Sequence, residues 1–184
     1  MYLNDAIKKS GIKYYATRNE ATAPIMAEAY SRVTGKIGVA CVTAGPGATN
    51  AIPGLAEAYV DSAPILVISG QVDYKQTTNS TKLKNIRTFG TAEIDIIPIV
   101  KPLTKYCKIL KNPNDVDYIF NKAIDVATSG RPGPVWIDIP LNIQRSKIDL
   151  SKLKKYKKKE KKLIKKEDLN KILKSLYTSK RPLI

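Results

Sequence analysis

Ile37-Gly-Val-Ala-Cys-Val-Thr43, continued by Ala44-Gly-Pro-Gly-Ala-Thr-Asn50 and then by Ala51-Ile-Pro-Gly-Leu-Ala-Glu-Ala-Tyr-Val-Asp61, is the stretch on which the fold turns. Its first part is apolar without strict alternation, the signature of a strand covered on both faces. The glycines then allow a tight turn, and the third part has helical length and composition. A strand that feeds a helix through such a turn is half of a βαβ unit. The glycine spacing matches neither the dinucleotide fingerprint nor a P-loop, because no Gly-Lys-Ser/Thr follows.

Working outward, the same rhythm recurs along residues 1–144. Strands are predicted at Lys13–Ala16, Ile37–Thr43, Ile65–Ser69, Lys105–Ile109 and Val135–Ile139. Glu20–Val33 places Ala23, Met26, Ala27, Tyr30 and Val33 at helical spacing, and Asn114–Thr128 repeats the pattern with Val116, Ile119, Phe120, Ala123, Ile124 and Ala127. Asn114 is a candidate N-cap, and Gly35 and Gly130 stand where helix ends favour φ > 0. The expected fold is α/β, a doubly wound, mainly parallel sheet of about five strands with helices on both faces. After Ile143 the pattern changes to a lysine-rich linker over 145–166, then a short helix at Glu167–Leu176 and a strand-like start at Arg181-Pro-Leu-Ile184. Residues 167–184 therefore read as the beginning of a second, truncated domain.

Composition narrows the function classes. The 184 residues hold 43% hydrophobic side chains, enough for one packed domain. No apolar run of about 18 residues occurs, and no leader pattern follows Met1, so a cytoplasmic setting without a membrane span is expected. Cys41 and Cys107 sit in apolar β-like runs, as reduced core thiols do. The absence of histidine removes the usual zinc sets and His-based triads, and no metal ligands are assigned. The net charge of +16 is uneven: residues 145–184 carry 16 Lys/Arg against 4 Asp/Glu, a net +12. A solvated linker accounts for Lys152–Lys166 better than a nucleic-acid site, since the run holds one aromatic and no recognised binding motif.

Chemistry is expected at strand carboxyl ends, where open α/β sheets bind ligands. Gly45–Asn50 lies at such an end, as a ligand loop or simply as a turn capped by Thr49 or Asn50. Glu20 opens the preceding helix and can point into the same crevice, although a carboxylate there also serves the helix dipole.

Six stretches in order carry a resemblance: Arg18-Asn-Glu20, Met26–Lys36, Val42–Asn50, Ala58–Val72, Ile99–Lys105 and Gly130–Pro140. Together they resemble the motif series of acetolactate synthase-like thiamine-diphosphate enzymes, over about residues 12–144. The resemblance implies the pyrimidine-binding domain of an enzyme acting on 2-keto acids by carboligation or decarboxylation, with thiamine diphosphate as cofactor. It implies that Glu20 is catalytic, hydrogen-bonding N1′ of the aminopyrimidine ring and favouring the imino tautomer that takes the thiazolium C2 proton. Cofactor binding falls to Glu20, Thr43, Gly45, Pro46, Gly47 and Asn50, and the substrate side to Gln71 and to Lys105, for which an exposed lysine at a strand end is an equal account. A carboxyl suits the role because a dry pocket raises its pKa and lets it share a proton.

Departures are equally specific. Asn19 stands where many relatives have His, and Thr91-Ala92-Glu93 where acetolactate synthases have Phe-Gln-Glu. Relatives also begin with a further strand and helix, and end with a diphosphate-binding domain that holds Mg2+. The chain is thus expected to be inactive alone and to need a homo-oligomer or a complementary diphosphate-domain chain. The alternatives are a non-catalytic scaffold remnant or a polyanion-binding module using the lysine-rich tail.

Overall fold

A computed structural model describes residues 2–81, 83, 85–158 and 164–183. Four parallel strands form one sheet in the order β1-β2-β4-β3: β1 Gly38–Val42, β2 Ile65–Gln71, β3 Tyr106–Ile109 and β4 Val135–Pro140. The helices are α1 Tyr2–Ser10, α2 Thr22–Thr34, α3 Pro46–Asn50, α4 Ile52–Val60, α5 Ile96–Val100, α6 Val116–Thr128, α7 Leu141–Gln144 and α8 Lys166–Thr178.

The two central strands, β2 and β4, are covered on both faces, while edge strand β1 leaves Val39 56% exposed on one of them. Alternate residues of β2 divide between two cores. Ile65 and Val67 join Trp136, Leu55, Ala27, Ala48 and Val100 under α2 to α5, while Leu66 joins Val135, Ile137, Ile119 and Ala123 under α6 and α7. Every residue of β4 is buried, which identifies it as a central strand. Burying one such Ile or Leu side chain favours folding by about 1.5–3 kcal/mol, so these two layers fix the sheet on which the strand ends are displayed.

Several expectations change. Lys13–Ala16 belongs to no ladder, leaving Tyr14 and Tyr15 57% and 68% exposed; a β-like run becomes a strand only beside a hydrogen-bonding neighbour. The sheet therefore has four strands among the described residues. α1 and α5 escaped the periodicity reading because neither spans three turns. Asn112, not Asn114, provides the cap before α6: its side chain accepts from the Asn114 amide at 3.0 Å, opening a 3-10 turn at Pro113–Asp115. Gly35 closes α2 at φ +67, donating to the Ser31 carbonyl, whereas Gly130 takes its positive φ two residues beyond the end of α6. Residues 181–183 join no strand; Ile184 lies outside the described residues.

The lysine-rich segment is not simply solvated. The Lys154 amide donates to the Asn114 carbonyl at 3.0 Å, and the Tyr156 hydroxyl donates to Asp125 on α6 at 2.7 Å. Tyr156 also meets the ring of Tyr118 edge-on at 5.6 Å, while Lys155 and Lys158 reach Asp117 and Asp125 at 3.6 Å. The exposed ion pairs contribute little, so the tyrosine holds the strap. Residues 159–163 of the Lys152–Lys166 run lie outside the described residues. Tyr156→Ala is expected to raise hydrogen exchange at the Lys154 amide at least about tenfold, the effect of losing roughly 1.4 kcal/mol of local stability, with β4 amides unchanged. NMR-detected exchange measures this, and an unchanged Lys154 amide would contradict it.

Candidate functional site

The Thr43–Asn50 turn leaves the carboxyl end of β1, and Glu20 lies in the turn just before α2. Gly45 has φ +61 and ψ −124, a conformation that side chains rarely adopt. A Cβ there would lie 2.0 Å from the Ala92 carbonyl oxygen, so backbone packs against backbone. Pro46 begins α3 with the φ its ring fixes, and the Thr49 amide donates to the Gly45 carbonyl at 3.0 Å. Thr49 and Asn50 lie within α3 and do not cap it; the Thr49 hydroxyl donates to the Pro46 carbonyl at 2.9 Å.

Asn50 instead reaches across to the other loop. Its Nδ2 donates to Glu20 Oε2 at 3.0 Å and to Asn19 Oδ1 at 3.2 Å, and Asn19 Oδ1 accepts the Ala21 amide at 2.9 Å. A Cβ on Gly47 would come within 3.2 Å of Glu20 Oε1 and 2.4 Å of the Thr43 methyl. The structure thus brings Glu20, Thr43, Gly47 and Asn50 to one place, with Gly45 and Pro46 shaping it. Asn50's hydrogen bond holds the Glu20 carboxyl below its ordinary range and outweighs the opposing effect of burial. The expectation of a dry pocket that raises this pKa does not describe the chain by itself.

The two substrate-side residues have other partners. Gln71 is buried: its Nε2 donates to Asp138 at 3.2 Å and to the Ile94 carbonyl at 2.9 Å, and its Oε1 accepts the Val72 amide at 3.0 Å. Both amide hydrogens are used inside the protein. Lys105 precedes β3, at the opposite end of the parallel sheet from Glu20, and its ammonium donates to the Val126 and Ser129 carbonyls at the end of α6. A cation at a helix C-terminus is favourably placed. Burial lowers its pKa.

Glu93 was not singled out as a site residue, because no periodicity marks a lone acid in a loop. It is buried and accepts from the Thr78 amide at 3.0 Å, the Thr78 hydroxyl at 2.8 Å and the Phe89 amide at 3.1 Å, tying Thr78 and Phe89 together. Ala92 beside it sits at φ +58. Among the described residues no group of three or more His, Cys, Asp or Glu is arranged to hold a metal, and no helix is long and apolar enough to cross a membrane. Cys41 and Cys107 are half-buried and unpaired with each other, with burial raising the Cys41 thiol.

Residues 1–98 match the family described as thiamine pyrophosphate enzyme, N-terminal TPP binding domain. The chain belongs to this family. Similar proteins include an acetolactate synthase large subunit of Buchnera aphidicola from Schizaphis graminum, 46% identical over 140 residues, 76% of this chain and 23% of that protein. A probable acetolactate synthase large subunit of Methanocaldococcus jannaschii is 38% identical over 148 residues, 80% and 24% of the two chains. The acetolactate synthase large subunit of Lactococcus lactis is 38% identical over 188 residues, covering 99% of this chain and 31% of its own. The chain spans about a quarter to a third of the length of these relatives.

In this TPP-binding domain the two glycines have different reasons. Gly45→Ala is expected to lower stability by at least about 2 kcal/mol, because both φ and a backbone carbonyl oppose it. Gly47→Ala collides with a methyl group, so its cost of about 1–3 kcal/mol should fall sharply when Thr43→Ser removes that methyl. Urea unfolding of the single and double variants checks both; failure of Thr43→Ser to recover stability would contradict the packing at Gly47.

Proposed function

We propose that this chain is the pyrimidine-binding part of an acetolactate synthase-like enzyme that uses thiamine diphosphate to join or decarboxylate 2-keto acids. The observation that carries it is the Glu20 carboxylate, fixed by Asn50 and facing Gly47 across a glycine turn, in a domain whose family binds this cofactor.

The residues fit the aminopyrimidine ring. A ring nitrogen needs a partner that can share a proton, which a carboxyl supplies; a flat ring needs close approach to backbone, which Gly47 permits. When bound, the cofactor supplies the carbon chemistry by accepting electron density from the keto acid. Asn50 orients Glu20 by holding Oε2, leaving the Oε1 side toward Gly47. Covering the half-buried carboxylate would remove water from it and raise its pKa, bringing it into the range where it can hold and return a proton at neutral pH. Thr43 and Pro46 line the turn. Magnesium and the diphosphate are assigned to a domain outside this chain, and with it a dimeric assembly and a cytoplasmic setting. Lys105 can meet substrate only at a site completed by another subunit, since this chain places it at the far end of the sheet.

Calorimetry of this chain with thiamine diphosphate and magnesium tests the assignment. Only weak binding is expected of the ring-binding part by itself. Joined to the remaining segments of a relative, the domain should support exchange of the cofactor's C2 proton, and Glu20→Gln should slow it about 100-fold or more with a smaller loss of binding. Equal exchange in the two chimaeras would leave Glu20 as a loop-ordering carboxylate only.

A further inference from the structure

Four side chains form a polar cluster inside the sheet's first core, separate from the Glu20 site. Asp138 on β4 is fully buried and accepts from Ser69 Oγ at 2.5 Å and Gln71 Nε2 at 3.2 Å. Ser69 in turn accepts from the Trp136 indole at 2.8 Å. Because Ser69 receives the indole hydrogen, its own hydrogen is directed to Asp138, and the order of donors is fixed. An unpartnered buried carboxylate would be costly, and an apolar pair of similar volume would pack the sheet as well, so such a cluster needs a further reason.

Gln71 supplies that reason by pointing out of the cluster. Its second amide hydrogen goes to the Ile94 carbonyl at 2.9 Å. Two residues earlier, Ala92 holds φ +58 and turns its carbonyl oxygen against Gly45, where no Cβ fits. Gly45 is the N-cap residue just before α3, and α3 carries the Asn50 that grips Glu20. A continuous path of hydrogen bonds and backbone contact therefore runs from β4 to the carboxylate.

We propose that Asp138 is a positioning residue for the cofactor pocket, fixing the Ile94 carbonyl through Gln71 and so seating the 92–94 backbone on which the Gly45 turn rests. The proposal rests on the thiamine-diphosphate reading for its purpose, but the coupling is a property of this chain alone. Burial pushes the Asp138 carboxyl up to about 7, against the hydrogen bonds from Ser69 and Gln71, with the nearby Asp95 carboxylate adding to the rise. Ser69 and Gln71 face it from β2, Cys107 of β3 packs on the same core, and α5 carries no titratable side chain. With the folded carboxyl keeping its proton to higher pH than the unfolded one, this group favours folding at low pH and that contribution is lost as pH rises from about 4 toward 7. The ionised form pulls harder on the Gln71 amide, since charge-assisted hydrogen bonds are the stronger.

The chain's single tryptophan makes this testable. Nitrogen-15 NMR of the 184-residue chain from pH 5 to 9 should show the Trp136 indole and the Gly45 and Gly47 amides shifting together with a midpoint near 7, in a protein without histidine. Asp138→Asn should abolish both shifts. Gln71→Met should keep the indole shift and abolish that of the glycines. Glycine shifts absent in the native chain, or persisting in Gln71→Met, would overturn the proposal, and this comparison decides even if Asp138→Asn does not fold. Thiamine diphosphate added to the native chain is a separate arm: no perturbation at Glu20 and Asn50 would count against the cofactor assignment while leaving the coupling intact.

Discussion

Asn50 donates one hydrogen bond to a carboxylate 30 residues away, and that bond makes a site out of two loops. Without it, Glu20 would be a helix-start acid and Gly45–Asn50 a tight turn, each with an ordinary local explanation. The bond can form only because β1 delivers the turn to one end of a parallel sheet while α2 packs back against the same strand. Gly45 then lets α3 begin close enough for Asn50 to reach, at the cost of a backbone conformation that only glycine adopts readily. The approach of Asn50 to Glu20 thus depends on a glycine in a structural role.

What was legible in the sequence follows physical range. β2 and β4 are readable because a strand covered on both faces is apolar at nearly every position, as Val135-Trp-Ile in β4 shows, and β1 keeps the same apolar run at the sheet edge although Val39 is exposed. α6 is readable because its 13 residues bury Ile119, Ala123 and Ala127 at helical spacing, whereas α2 is readable by length alone: of its spaced apolar residues Ala27 is buried, but Met26, Tyr30 and Val33 are exposed, and the buried face is Pro24, Ala27, Glu28 and Ser31. Lys13–Ala16 misled because strand identity belongs to a pair of segments, and composition describes only one. The resemblance marked Glu20 and the glycine turn, and the coordinates supply what it could not, the partner atoms.

The partners that sequence does not show share a cause. Gln71 is occupied by Asp138, 67 residues on, and by the carbonyl of Ile94, while Lys105 closes on carbonyls 21 and 24 residues away. Tyr156 pins the lysine-rich strap to an aspartate 31 residues back. None of these pairings leaves a periodic trace, since each depends on side chains meeting across the fold. They also show how the high charge is tolerated: lysines in the strap lie beside Asp117 and Asp125 and over the Tyr118 ring, so part of the excess is met locally.

The dependence of the Glu20 carboxyl on Asn50 can be read directly from its titration. Carbon-13 NMR of the glutamate side chains, in the native chain and in Asn50→Ala, follows protonation of Glu20 without any ligand. A midpoint below the ordinary 4.5 is expected in the native chain, rising toward it when the Asn50 amide is removed. The same midpoint in both proteins would mean that Asn50 does not hold Glu20, and that the two loops form no common site.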